Sequence, residues 1–254
     1  VSSANIKEVE KFHQNYYGLG SLNFAAVGDV KPVQINDLLG KYLNGWKTKN
    51  TTHVLPGMKA DAPKESNTEI HIPEKTSMDI YLGQAIGIDR DHKDYYPLMM
   101  AVYILGGNFS ARLMQTVRDQ QGLTYGIGSS LAGVSFGGDG YWSTWGTFAP
   151  DLLDAGRKAT IEQILNWYKN GVTQDELEAK KTTIAGAYQV GMDSTGGLMA
   201  QILSNAEKNR SVEYLDQYLD LISRITLDQT NKAIRTYVDP DKLTVVAAGT
   251  FKDS

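Results

Sequence analysis

Apolar positions recur every three or four residues in the first part of the chain, with the spacing of amphipathic helices. This spacing predicts helices over residues 6–17 and 33–46, and the apolar run between them, residues 22–28, predicts a buried strand. Residues 48–67 break the pattern because they are rich in Thr, Asn, Pro, Gly and Lys, a composition typical of a linker. The best domain boundary in the chain is therefore expected within this stretch.

After the linker, strand patterns and helix patterns follow one another along the chain. Alternating apolar and polar positions predict strands at residues 68–74, 77–88, 123–134 and 139–148, of which the last two form an antiparallel pair around a glycine-rich turn. Helical spacing, bounded by capping residues and glycines, predicts helices at residues 94–105, 110–121, 151–170, 173–192, 194–209 and 212–223. This order predicts an α+β fold with a mostly antiparallel sheet packed with helices.

A long-range repeat links the two ends of the chain. Residues 9–31 align without a gap to residues 230–252, with six identities that include the closing Gly28 and Gly249. Each copy has a helical stretch ending in an aromatic residue, then a turn and an apolar run. Two unrelated helix–turn–strand units are the alternative, but the shared positions favour a duplicated domain of about 221 residues, the offset between the copies. The chain is then expected to be a fragment or a processed subunit of something larger.

Composition excludes several classes of protein. The 254 residues include no Cys, which excludes a disulfide scaffold, and 41% are hydrophobic, which excludes a disordered chain. The formal net charge of −4 argues against nucleic-acid binding through overall basic charge. No apolar run approaches the roughly 20 residues of a transmembrane helix, so no membrane span is expected.

One glycine-rich segment, residues 106–130, carries the most distinctive candidate chemistry. Its Arg118 and Tyr125 lie near a predicted helix end and a predicted strand start. A turn at Gly122 would bring both side chains to one edge of the sheet, where a guanidinium and a phenol can donate hydrogen bonds to a peptide carbonyl. The alternative is an Arg118 that is only solvated and a Tyr125 that only packs.

Other candidate residues give weaker signals. No two of the four histidines lie within five residues of each other, so the chain offers no His-pair metal motif. The aromatic residues Tyr141, Trp142 and Trp145 would suit a partner-binding module if they were exposed on a strand. We expect instead that helices cover both faces of their sheet.

The glycine-rich segment resembles the non-catalytic half of the pitrilysin/insulinase family of zinc metallopeptidases, the inverzincins. That family carries a pattern like LGG-x-x-S-x-R-L followed by R-x-x-x-G-L-x-Y, and here it is matched by residues 105–113, Arg118, Gly122, Leu123 and Tyr125. The resemblance extends to residues 16–18 and 27–29 and to the helix after Thr173, and so covers essentially the whole chain.

This resemblance implies two homologous α+β halves that enclose a chamber. The first half holds zinc through H-x-x-E-H and a distant Glu, and it binds the substrate as an added strand. The second half supplies an Arg and a Tyr that contact the peptide, which by position are Arg118 and Tyr125. This chain has no H-x-x-E-H, so no catalytic residue and no metal ligand are expected in it, and it should be inactive alone. Zinc is expected in the parent protein or in a partner half.

The resemblance also divides the chain into the end of the first half (1–54), a linker (55–67) and the second, non-catalytic half (68–254). The implied function is substrate binding in a zinc-dependent metallopeptidase that hydrolyses peptides in an enclosed chamber. The alternative is a catalytically inactive partner or structural subunit of the same fold, as in the respiratory-complex core subunits that resemble this family.

The implied partners are a peptide substrate and a catalytic half, which lies in the same polypeptide or in a partner subunit. Strand 22–28 would lack most of its sheet in this chain, and an unpaired apolar strand promotes association. We therefore expect it to pair in another way within its own domain, or with a second copy to give a homo-oligomer. The compartment stays open between a bacterial periplasm and a cytoplasm.

Overall fold

The structure of the protein, a computed structural model, describes residues 3–46, 59–134 and 138–251. Its helices are α1 (Ile6–Tyr16), α2 (Pro32–Leu43), α3 (Tyr95–Gly106), α4 (Leu153–Asn170), α5 (Gln174–Met192), α6 (Thr195–Glu207), α7 (Tyr214–Ser223) and α8 (Leu227–Tyr237). Its strands are β1 (Ser66–His71), β2 (Met78–Ala85), β3 (Thr124–Ala132), β4 (Tyr141–Phe148) and β5 (Thr244–Gly249). The helices and strands predicted after the linker are therefore present, with ends shifted by a few residues, except that most of the predicted helix 110–121 is a π-helix, Met114–Gln120.

The described residues form two compact units. The larger unit lies within Gly57–Ala185 and Leu219–Ser254 and contains the sheet. The smaller unit lies within Val1–Pro56 and Gly186–Tyr218. Within the ranges that the structure describes, no helix is long and apolar enough to cross a membrane.

Strands β1 to β5 form one sheet in the order β1-β5-β2-β4-β3. Strands β1 and β5 pair in parallel, whereas β5 with β2, β2 with β4 and β4 with β3 pair antiparallel. The predicted α+β fold with a mostly antiparallel sheet is thereby confirmed. Strand β3 lies at one edge of the sheet, and this position leaves one side of it without a neighbouring strand among those described.

One face of the sheet packs against helices and the other carries exposed aromatic side chains. Trp142 of β4 is fully buried, and its ring lies 5.7 Å from that of Trp167 in α4. Tyr81 and Trp145, on neighbouring strands of the opposite face, are 56% and 40% exposed. The expectation that helices cover both faces is therefore wrong, because the alternation along β2 and β4 turns one set of side chains into the core and the other outward.

Residues 22–28 do not form the predicted buried strand, which is a second wrong expectation. The backbone at Leu22 is extended, with φ −82° and ψ 118°, but the segment pairs with none of the described strands. Leu22 and Phe24 are 47% and 54% exposed. An apolar run favours extended backbone, but a strand needs a neighbour that satisfies its backbone N–H and C=O groups.

The repeat found in the sequence recurs in the structure of the helices. Helices α1 and α8 each span 11 residues and lie at positions related by the offset of the repeat. Each begins with a capping box, formed by Asn5 with Glu8 in the first copy and by Thr226 with Gln229 in the second. The same start, length and end show that both copies fold as the same helical unit.

The turns after the two helices are also alike, but the strands differ. A single 3₁₀ turn follows each helix, Leu19–Ser21 in one copy and Pro240–Lys242 in the other. Each apolar run then closes at a glycine with positive φ, 148° at Gly28 and 153° at Gly249. In the second copy the run forms β5, which lies between β1 and β2, whereas residues 22–28 are unpaired within the described part of the chain. The first copy therefore repeats the helix, the turn and the closing glycine of the second copy, but its apolar run has no neighbouring strand among the described residues.

Candidate functional site

A groove of about 650 Å³ opens beside the C-terminal end of α3 and along the edge strand β3. Glycines and aromatic side chains form much of its lining. They include Gly106, Gly107, Phe109, Tyr125, Gly128 and Trp145. Of the described residues that line the groove, only Arg118 carries a charge. The groove is thus an apolar cleft with one cation.

Two glycines let the walls of the groove come close together. A Cβ at Gly106 would lie 2.5 Å from the backbone nitrogen of Ser129, so α3 approaches β3 this closely only with glycine there. A Cβ at Gly128 would lie 2.9 Å from Nε1 of Trp145, whose indole therefore lies against the backbone of β3. The two glycines thus let α3 and the Trp145 indole lie directly against the backbone of β3.

Arg118 lies on a π-helix, Met114–Gln120, where the sequence predicts an ordinary helical turn. The wider turn shows in the hydrogen bond from the backbone N–H of Gln121 to the carbonyl of Thr116, five residues earlier, at 3.1 Å. Gly122, with φ 65°, then turns the chain towards β3. Short π-helices are rare and are frequent at functional sites, so this irregularity itself marks the segment.

Tyr125 lies in a β-bulge at the start of β3. Thr124 pairs with Phe148 and Gly126 pairs with Thr147, so Tyr125 is an extra residue in the ladder. The hydroxyl of Thr124 holds the bulge, because it accepts from the N–H of Gly126 at 3.1 Å and donates to the carbonyl of Thr147. A bulge changes the direction of a side chain, and Tyr125 is accordingly 89% exposed.

The structure brings Arg118 and Tyr125, the two site residues predicted from the sequence, together at the groove. The guanidinium carbon lies 5.5 Å from the centroid of the phenol ring, within the range of a cation–π interaction. Among the described residues, the Arg118 side chain makes one hydrogen bond, from Nη1 to Oδ1 of Asp119 at 3.2 Å, and the Tyr125 hydroxyl makes none. Both side chains therefore keep donors for a ligand.

The loop between α3 and the π-helix is held by two residues of α5. Lys180 donates from Nζ to Oδ1 of Asn108 at 3.0 Å, and to the carbonyl and hydroxyl oxygens of Ser110 at 2.8 and 2.6 Å. One turn earlier, the carboxylate of Glu176 accepts from Nε and Nη2 of Arg112 at 2.5 and 2.6 Å. Helix α5 therefore fixes the loop at both ends.

Burial and these contacts shift the pKa values of both α5 residues. Desolvation lowers the pKa of Lys180, although the charge of Glu176 opposes the shift. Burial acts to raise the pKa of Glu176, but hydrogen bonds from Arg112 and Thr173 outweigh it and leave this pKa below its usual value. The sequence predicts neither Glu176 nor Lys180 as a site residue. The spacing of Glu176 and Lys180, four residues apart on one helix face, was the available signal of their shared role.

The described residues do not fit a zinc ion. Within residues 3–46, 59–134 and 138–251, no group of three or more His, Asp or Glu side chains could hold a metal. Zinc sites use at least three protein ligands from His, Asp, Glu and Cys, and the chain contains no Cys. Of the four histidines, His53 lies outside the described residues.

The fold and the groove define an α+β domain with an apolar cleft beside its edge strand. Residues 3–184 match the family model of the peptidase M16 inactive domain, and the chain belongs to this family. The resemblance to the non-catalytic half of a zinc metallopeptidase family is thereby confirmed. The chain contains the inactive peptidase domain of a zinc-protease-like protein.

Individual relatives agree with this assignment. A Bacillus subtilis relative named "Uncharacterized zinc protease YmxG" is 23% identical over 242 residues, which are 95% of this chain and 57% of that protein. A Helicobacter pylori relative named "Non-peptidase homolog YmxG" is 23% identical over 167 residues, 65% of this chain and 38% of that protein. The crystal structure of a peptidase M16 inactive domain from Pseudomonas fluorescens has a TM-score of 0.84 and 25% identity, over 99% of this chain and 59% of that one. The chain spans about half the length of the curated relatives it matches.

Proposed function

We propose that this chain binds a peptide in the groove beside β3, as the substrate-binding, non-catalytic part of a zinc-dependent metallopeptidase. The observation that carries the proposal is the pairing of Arg118 and Tyr125 at an apolar cleft. A peptide combines carbonyl acceptors with apolar side chains, so it needs hydrogen-bond donors next to an apolar surface. The guanidinium and the phenol supply these donors.

The charge of the groove favours a ligand with neutral, dipolar hydrogen-bond acceptors over an acidic ligand. Arg118 is the one charged residue among the described groove residues, and its hydrogen bond with Asp119 offsets part of its charge. A neutral peptide carbonyl can accept from the remaining guanidinium donors and from the Tyr125 hydroxyl without adding a charge to an apolar site. A peptide backbone therefore suits this lining better than a polyanion does.

Hydrolysis itself belongs to another half in this proposal. Zinc bound in a catalytic half, in the same polypeptide or in a partner subunit, would polarise the peptide carbonyl and activate water. The role of this chain is to orient the peptide through Arg118 and Tyr125. The name of the Bacillus subtilis relative, a zinc protease, supports a zinc-dependent parent protein.

We also propose that residues 1–54 end a catalytic-type half, that 55–67 form a linker and that 68–254 form the non-catalytic half. The support is the repeat, in which residues 22–28 correspond to β5. Strand β5 has a parallel neighbour on one side and an antiparallel neighbour on the other. The catalytic half would supply two such neighbours for residues 22–28. Without that half, the segment would pair with a second copy of the chain and give a homo-oligomer.

Direct binding measurements test the proposed site. A short, unstructured fluorescent peptide is titrated with the wild type, Arg118→Ala, Tyr125→Phe and the control Arg224→Ala, an exposed arginine that pairs with Asp220. We expect each site variant to weaken binding by roughly 5- to 100-fold, the loss of about 1–3 kcal/mol of hydrogen bonding. The control should bind as the wild type does. Equal affinities in all four proteins would reject the groove as a peptide site.

A second function, a catalytically inactive partner or structural subunit of the same fold, is favoured by one observation. The Helicobacter pylori relative is named a non-peptidase homolog. Zinc analysis and peptide hydrolysis by the complete protein or complex separate the two functions. A preparation that contains zinc and cleaves peptides supports the first function, and an assembled preparation without zinc or activity supports the second.

A further inference from the structure

Phe109 forms part of the groove without being packed into place. It lines the groove, yet it is 79% exposed, so burial of its ring does not fix the loop that carries it. Its two neighbours in the chain, Asn108 and Ser110, are instead held by the ammonium of Lys180. The buried Lys180 thus ties the residues on both sides of this aromatic wall to α5.

We propose that Lys180 is a positioning residue that holds Phe109 at the groove. With Phe109 held there, the site selects peptides that have an apolar side chain near the carbonyl bound by Arg118 and Tyr125. The inference rests on the proposed peptide-binding function. An aromatic ring held at the rim of an apolar cleft adds contact area for one side chain of the ligand, and its contribution depends on where the loop holds it.

The donors and acceptors around Lys180 match in number. An ammonium group has three N–H donors, and Nζ of Lys180 meets three oxygens, one from Asn108 and two from Ser110. The Ser110 hydroxyl donates to Oδ1 of Asn108 at 3.0 Å, so it accepts from Lys180. The charged amine therefore has one acceptor for each of its three N–H groups, and all three acceptors lie in the loop.

Lys180 reaches this part of the loop from a buried position on α5. Lys180 is 5% exposed. Its removal would take away the three hydrogen bonds that tie Asn108 and Ser110 to α5, and the donors left at Oδ1 of Asn108 would come from Ser110 within the loop itself. The other end of the loop would stay fixed through Arg112 and Glu176. We therefore expect the loss of Lys180 to release residues 107–110 locally rather than to unfold the domain.

The test uses Lys180→Met, which keeps the apolar stem and removes the ammonium. Lys181→Met is the matched control, because this neighbouring lysine pairs with Glu178 at 3.0 Å and not with the loop. Two probe peptides that differ only by Phe or Ala at one position are titrated with each protein. Amide hydrogen exchange is measured for residues 107–110 and for β4. We expect the wild type to bind the Phe peptide about tenfold more tightly than the Ala peptide.

In Lys180→Met this discrimination should largely disappear, and exchange at residues 107–110 should rise while exchange in β4 stays as in the wild type. Lys181→Met should keep both wild-type properties. In Lys180→Ala, added propylammonium, which replaces the missing side-chain atoms, should restore discrimination because it returns the ammonium to the loop. Unchanged discrimination or unchanged loop exchange in Lys180→Met would overturn the inference. In that case the proposed function would still stand as long as Arg118→Ala weakens peptide binding. A wild type that binds neither peptide overturns both.

Discussion

The guanidinium of Arg118 lies over the ring of Tyr125, 5.5 Å from its centroid, because two departures from regular structure meet beside the groove. A π-helix carries the arginine and a β-bulge carries the tyrosine. Each irregularity gives up regular backbone hydrogen bonding and directs a side chain that a regular element would place elsewhere. Their combination puts two hydrogen-bond donors on one exposed rim.

Under the proposed function, Arg118→Ala and Tyr125→Phe, assayed together with the catalytic half, should each lower kcat/KM by roughly 5- to 100-fold, because a hydrogen bond to the reacting peptide is lost. The double variant should lose less than the product of the two single losses, by a factor of roughly two or more, since the side chains contact each other and one peptide. Steady-state kinetics of the four proteins measures this coupling. Losses that simply multiply would mean that the two residues act independently.

Gly106→Ala should destabilise the domain by about 1–3 kcal/mol through overpacking, because the added Cβ would lie 2.5 Å from the backbone nitrogen of Ser129. Gly186→Ala is the control: it lies within α5, and nothing lies within 4 Å of its added Cβ. That change should stabilise the protein by up to about 1 kcal/mol through helix propensity. Urea unfolding of both variants measures the difference. Equal urea midpoints for Gly106→Ala and Gly186→Ala would show that α3 can move away from β3 without loss of stability.

Local sequence patterns predict the elements of this fold better than its site. Helices such as α4 and α5 follow from spacing and capping signals that lie within their own residues. The contact of Lys180 with Asn108 joins residues 72 apart, and no local pattern encodes it. Arg118 and Tyr125 could be named from a family motif, but the π-helix and the bulge that orient them result from packing and pairing with distant segments. Residues 22–28 show the opposite case, since their local signal for a strand is clear but none of the described strands pairs with them.

Glu176 should make the stability of the domain depend on pH in the acid range. Burial acts to raise its pKa, but the hydrogen bonds from Arg112 and Thr173 outweigh that effect and lower the pKa below its usual 4.5. The unfolded carboxyl then binds a proton at a pH where the folded one does not. Its stabilisation is therefore fully present above the unfolded pKa and is lost as the pH falls through the lower folded pKa.

Urea unfolding of the wild type and of Glu176→Gln, from neutral to acid pH, checks this dependence. The difference in unfolding free energy should be largest at neutral pH and should shrink below about pH 4.5, the usual pKa of the carboxyl. Glu178→Gln removes a more exposed carboxylate on the same helix and should change the stability little at any pH. A difference for Glu176→Gln that stays constant across the range would contradict the ion pair as its source.

Ala26 should become buried when residues 22–28 gain neighbouring strands. Its counterpart in the repeat, Ala247 of β5, is fully buried, whereas Asn23 corresponds to the exposed Thr244. Ala26→Asp should therefore weaken association with the catalytic half, or self-association of the chain alone, by roughly 100-fold or more, because an unpaired charge would be buried. Asn23→Asp introduces the same charge and should leave association nearly unchanged.

Sedimentation velocity measures self-association, and co-purification with the catalytic half measures the assembly of the two halves. Both variants should unfold in urea as the wild type does when the chain is alone and dissociated, because Ala26 and Asn23 are exposed there. This separates an effect on pairing from an effect on folding. Equal association by Ala26→Asp and Asn23→Asp would mean that residues 22–28 do not pair in the register of β5. A wild-type chain that stays monomeric alone and also fails to join the catalytic half would mean that the segment does not serve as a strand.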